Sequence, residues 1–179
     1  MKDVKSAILL IFLVWAVFIV DNYLQLDLNR FGILPKTKNG LIGIPLSPFL
    51  HANMFHIISN TIPLFVLTIL TLIFYRRIAV SVIIFSILMS GTMVWMFARP
   101  AIHIGASSLI YALASFLFFM GLFRRSFLSL AIAAGIAFLY GGLIWGVFPT
   151  NPYISWEGHL FGAVAGMILA YYFRKTGAK

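Results

Sequence analysis

Residues 127–148 read FLSLAIAAGIAFLYGGLIWGVF, an apolar stretch without a charged side chain. A helix needs about 20 such residues to cross the ~30 Å hydrocarbon core of a bilayer, so this stretch by itself points to a membrane. Runs of similar character occur at Ser6–Leu26, His51–Phe74, Ile78–Phe97, Gly105–Phe123 and Gly158–Phe173. None shows the short alternating pattern of a membrane β-barrel, and unpaired backbone cannot face lipid, so the runs read as helices. Composition agrees. At 62% hydrophobic and 9% charged, with a mean hydropathy of +1.03, a chain of 179 residues holds more apolar surface than a soluble domain of that length can hide. The expected fold is an all-α membrane protein, a bundle of six transmembrane helices. No Pro/Gly/Ser-rich linker divides it, so residues 1–179 read as a single domain. Asp21 interrupts the first run, but no small-residue cleavage site follows Val20, which predicts a retained helix.

Charge sets the orientation. The net charge of +9 comes from short clusters between apolar runs rather than an aromatic-interleaved basic face, so lipid bilayer and not nucleic acid is the expected partner. Lys2, Lys5, Arg76, Arg77, Arg124, Arg125, Arg174, Lys175 and Lys179 fall on one side, and Arg30, Lys36, Lys38 and Arg99 on the other. The positive-inside bias then puts both termini in the cytoplasm of a multi-pass protein of the plasma or inner membrane. The loops Asp27–Leu50, Arg99–Ile104 and Pro149–Glu157 face outward. The first of these is rich in Gly, Pro and apolar residues and is expected to lie against or in the outer leaflet. The absence of Cys removes disulfides, thiol catalysis and thiolate metal sites.

Polar side chains inside membrane helices are costly and mark function. Here they are His51, His56 and Asn60 in the second run, Ser107, Ser108 and Tyr111 in the fourth, and His159 beside Glu157 at the sixth. All lie near the outward ends of their helices. His56 and Asn60 share a face, as do Ser107 and Tyr111. Gly158, Gly162 and Gly166 form a ridge that permits close approach of a neighbouring helix. If that neighbour is the fourth helix, Ser107 and His159 come within hydrogen-bond range. A serine hydroxyl becomes a nucleophile when a neutral imidazole takes its proton. The oxyanion formed on an attacked amide needs preorganised donors, each contributing roughly 3–4 kcal/mol; the Ser107 N–H, His56 and Asn60 are suitable. No aspartate is placed to orient His159, so a two-residue dyad is implied, with Tyr111 able to pack on the imidazole. Hydrolysis at this depth also calls for a polar cavity open to the outer face.

The set His51-x4-His56-x3-Asn60, then Gly105-Ala106-Ser107, then Gly158-His159-x2-Gly162-x3-Gly166 closely resembles the rhomboid intramembrane serine proteases, over nearly the whole chain. The resemblance implies a six-helix rhomboid-like bundle with Ser107 as nucleophile and His159 as base. It further implies His56 and Asn60 as oxyanion stabilisers and Tyr111 stacked on the base, with Gly105, Gly162 and His51 in support. The implied activity is endopeptidase cleavage of peptide bonds in or near transmembrane segments of other proteins, without metal or cofactor. The fifth helix and the loop Pro149–Glu157 are then the expected gate. The chain departs from the family's usual pattern at Ser108, where glycine is common, and in lacking a Trp-Arg pair in the first loop.

Two other functions compete. One is a catalytically silent rhomboid-like protein that binds membrane segments; retention of both Ser107 and His159 argues against it. The other is a metal or proton transporter built on His51, His56 and His159, which lacks the carboxylates such sites usually add. Outside the motif, His103 reads as an interfacial loop residue and Pro63 as a kink. Glu157 is left open as a solvated charge, a gate or a partner of Arg99.

Overall fold

The computed structural model describes residues 2–151 and 153–176. Lys179 of the charge count and Pro152 of the last outer loop lie outside the described residues. Helix α1 (Lys2–Leu24) leads into a long connection that carries 3-10 turns at Leu28–Phe31, Asn39–Leu41 and Ser47–Phe49 and a single α-turn, α2 (Gly43–Leu46). Then follow α3 (Met54–Phe74), α4 (Ala79–Phe97), α5 (Ser107–Arg124), α6 (Phe127–Tyr140), a 3-10 segment Gly141–Val147, and α7 (Trp156–Phe173). Among the described residues there is no strand, only an isolated antiparallel bridge between Ile33 and His103.

Among the described residues five helices are long and apolar enough to cross a membrane: Asp3–Leu24, Met54–Phe74, Ala79–Phe97, Ser107–Arg124 and Phe127–Val147. The sixth expected span, α7, matches them in length but not in apolarity, because Glu157, Gly158 and His159 fill its first turn. Capping explains where the helices differ from the apolar runs. Asn53 accepts the His56 N–H at 2.9 Å, so α3 starts at Met54 and leaves His51 in the preceding loop. Ser155 accepts the Gly158 N–H at 3.3 Å, which starts α7 at Trp156 and draws Glu157 into the helix. Asp21 does not break α1; its carboxylate accepts the Leu28 N–H at 2.9 Å and ties back the returning chain. Hydropathy sees none of these bonds. The fifth run changes geometry along its length, since α6 tightens to 3-10 geometry at Gly141.

Helix α5 is central. Of its apolar stretch 56% is buried, against 17% in α1 and in Phe127–Val147, so the latter two leave most of their surface uncovered by the protein. Its buried side chains Leu109, Leu113, Phe116, Leu117 and Met120 join Ile57, Leu64 and Leu67 of α3 and Leu169 of α7 in the main core. On α7, a Cβ at Gly162 would overlap the Ser108 carbonyl oxygen, and one at Gly166 the Ala112 carbonyl oxygen. The two backbones are therefore in direct contact, which also lets Ser115 Oγ donate to the Ala163 carbonyl at 2.6 Å.

The basic clusters collect at one end, where Arg76 pairs with Asp3 at 3.4 Å and Arg124 Nε donates to the Arg174 carbonyl at 3.0 Å. At the other end the long first connection folds back on α4. Trp95 Nε1 donates to the Thr37 carbonyl at 2.8 Å, and Ile33 and Ile44 pack on Val94 and Ala98.

Candidate active site

The site is built where α3, α5 and α7 begin. Gly105 has φ +112°, a conformation that side chains avoid, and its N–H donates to the Ser47 carbonyl at 2.8 Å. That turn delivers Ser107 as the first residue of α5. The first backbone bond of this helix runs from Ile110 N–H to the Ala106 carbonyl, so the Ser107 N–H sits among the amides that a helix start leaves without an intrahelical acceptor.

On one side of the turn stand the α3 residues. A Cβ at Gly105 would lie 2.6 Å from His56 Nε2 and 3.9 Å from Asn60 Nδ2, so glycine is required here for space as well as for φ. Asn60 is buried and its amide donates one proton to the His56 carbonyl at 3.0 Å. The His51 ring meets that of His56 edge-on at 4.9 Å, and its Nε2 accepts the Ala106 N–H at 3.5 Å. Burial, with the His56 ring beside it, pushes the His51 imidazole down to about 4, so it is neutral at physiological pH. His51 thus braces the turn from the loop.

On the other side is α7. The His159 ring stacks on Tyr111 with centroids 4.2 Å apart and planes within 5°. Tyr111 is one helical turn beyond Ser107 on the same face of α5, so the serine and the ring that stacks on His159 share one side of that helix. His159 Nδ1 is 2.9 Å from the Gly146 carbonyl. A carbonyl can only accept, so Nδ1 carries the proton and the neutral ring keeps its lone pair on Nε2. The Tyr111 hydroxyl donates to the Leu143 carbonyl at 2.8 Å. Both rings are therefore anchored by the 3-10 segment after α6. Nothing in the sequence signals these two acceptors, because a carbonyl carries no residue identity.

Ser108 lies beside Gly158, where a Cβ would be 2.7 Å from its Oγ. A hydroxymethyl group fits at 108 because residue 158 has none. Among the three readings left open for Glu157, the structure shows a buried partner of Arg99, with Oε2 3.6 Å from Nη1. His103 stands in the loop between α4 and α5, buried and hydrogen-bonded. Among the described residues no three His, Cys, Asp or Glu side chains gather as a metal site requires.

The fold and this grouping define an all-helical integral membrane protein with a polar site at the starts of three helices. The chain belongs to the rhomboid family: residues 38–176 match the Rhomboid domain. Uncharacterized proteins of Mycobacterium bovis and Mycobacterium tuberculosis are each 41% identical over 157 residues, covering 82% of this chain and 64% of theirs. One of Mycobacterium leprae is 35% identical over 170 residues, covering 89% of this chain and 66% of its own. The chain thus spans under two thirds of the length of the first two relatives.

Proposed function

We propose that the chain is an intramembrane serine endopeptidase that cleaves peptide bonds in or near transmembrane segments of other membrane proteins. The observation that carries this reading is His159, held by the Gly146 carbonyl so that its basic nitrogen is Nε2, and stacked on Tyr111, the residue one helical turn beyond Ser107. In the reaction His159 Nε2 takes the Ser107 proton as Oγ attacks the substrate carbonyl carbon. The oxyanion is met by the Ser107 N–H, His56 Nε2–H and the second proton of the Asn60 amide. The imidazolium then protonates the leaving nitrogen, and water activated by the same base hydrolyses the acyl-enzyme. The Gly146 carbonyl takes the orienting place that a carboxylate holds in a three-residue arrangement.

The topology that fits this role has six spans with α7 as the last, in one domain, with both termini cytoplasmic and the site open to the outer face. The fifth span and the loop that follows it form the gate in this reading. Because the 3-10 segment also holds His159 and Tyr111, its displacement would loosen the base at the same time.

The test is cleavage of a transmembrane substrate by purified protein in detergent with EDTA present. Wild type should cleave, while Ser107→Ala and His159→Ala should each lose roughly 10³-fold or more. Activity that survives Ser107→Ala overturns the assignment. Absence of cleavage by every variant favours the silent, segment-binding protein, and inhibition by EDTA revives the metal site.

A further inference from the structure

Between the α4–α5 loop and the head of α7 runs a chain of hydrogen bonds whose direction is fixed at both ends. His103 Nε2 is 3.1 Å from the Arg99 carbonyl, an acceptor only, so Nε2 carries the proton. His103 Nδ1 then holds the lone pair and, at 2.7 Å, accepts from the Ser155 hydroxyl. With its proton committed to His103, Ser155 Oγ accepts the Gly158 N–H at 3.3 Å and caps α7 directly before His159. Alongside, the Arg99 N–H donates to Glu157 Oε1 at 3.4 Å. Arg99 Nη2 donates to the Ile154 carbonyl at 2.7 Å. The first connection completes the assembly by a reciprocal backbone pair, Ile33 N–H to the His103 carbonyl at 3.0 Å and His103 N–H to the Ile33 carbonyl at 2.9 Å.

We propose that His103 and Ser155 are positioning residues: neutral His103 locks Ser155 into the rotamer that caps α7, fixing His159 against the loop that leads into Ser107, and protonation of His103 loosens this latch. A proton on Nδ1 turns His103 from acceptor to donor: the Ser155 hydroxyl must swing its own proton away, and Oγ then accepts from the imidazolium as well as from the Gly158 N–H, which loosens the cap. The ionisable groups that face His103 are Arg99, in its own loop, and Glu157 of α7. Burial, the largest influence, holds the His103 imidazole below the ordinary histidine value, keeping the latch closed at neutral pH. The link to catalysis rests on the protease reading above; the latch itself does not.

The experiment is hydrogen exchange of the full chain in detergent, read on peptides spanning residues 155–162 at pH 7.5 and pH 4.5 and corrected for intrinsic rates. Wild type should lose protection about fivefold at the lower pH, the worth of one such bond. Ser155→Ala should show that loss at both pH values, and Ser155→Thr should restore the cap. His103→Gln, which keeps a donor and an acceptor but cannot titrate, should respond to acid less than wild type, the remaining response coming from His51. Equal protection in wild type and Ser155→Ala, or an acid response in His103→Gln as large as that of wild type, overturns the latch. Where wild type cleaves in a Ser107-dependent manner, Ser155→Ala should lower kcat about fivefold at unchanged KM, and Ser155→Thr should restore it. Unchanged kcat overturns the positioning role while leaving the protease reading intact. Loss of Ser107 dependence with the exchange pattern as expected does the reverse.

Discussion

Consider Gly162→Ala. The added methyl would overlap the Ser108 carbonyl oxygen and lie 3.1 Å from the Tyr111 Cβ. Neither neighbour can swing aside, one being backbone and the other the root of a side chain stacked on His159. Relief therefore requires α7 to move off α5 by on the order of 1 Å. Overpacking of this kind destabilises by about 1–3 kcal/mol. The functional effect is larger, because His159 lies three residues away on the same helix and a misplacement of about 1 Å at a reacting group lowers rate roughly 10²-fold. The control is Gly135→Ala on α6, where nothing lies within 4 Å of the new methyl. Replacing a mid-helix glycine there should stabilise by up to about 1 kcal/mol. The assay is thermal unfolding in detergent together with kcat/KM for a transmembrane substrate. A Gly162→Ala protein that melts with wild type and cleaves within threefold of it would refute the backbone-contact argument.

Tyr111→Phe keeps the ring on His159 but removes the bond to the Leu143 carbonyl, so kcat should fall about fivefold, whereas Tyr111→Ala, which also removes the stack, should fall well beyond that. Equal kcat for both variants would show that the ring contact does not matter. His51 titrates at about 4 in the folded chain against ~6.5 when unfolded, so the unfolded state binds the extra proton. Its contribution is complete above pH ~6.5 and is lost as pH falls towards 4, destabilising by roughly 3 kcal/mol at the end of that window. Melting temperature followed from pH 7.5 to 4 checks this, and a flat profile contradicts it. Trp95→Phe deletes the donor to the Thr37 carbonyl, worth ~1 kcal/mol, and should speed limited proteolysis between residues 35 and 46 without altering the α5–α7 contact. Unchanged cleavage of that loop would mean the indole bond does not secure it.

What the sequence settled is what depends on residue identity at short range. Apolar runs of membrane length located five spanning helices and the body of α7, because the bilayer imposes that length on any helix that crosses it. Helical spacing paired His56 with Asn60 and Ser107 with Tyr111, and the Gly162–Gly166 ridge announced the close contact that α5 fills. The ends of helices were less legible. Asn53 and Ser155 decide where α3 and α7 begin, and a hydropathy window averages a single cap away. Only the tertiary structure decided how the polar groups are oriented. The Gly146 and Leu143 carbonyls that hold His159 and Tyr111 belong to residues whose side chains play no part. The His103–Ser155 pair joins positions 52 residues apart that no local pattern connects. Local chemistry states which groups a chain carries, but a hydrogen bond needs a partner within about 3 Å, and over that separation only packing supplies one.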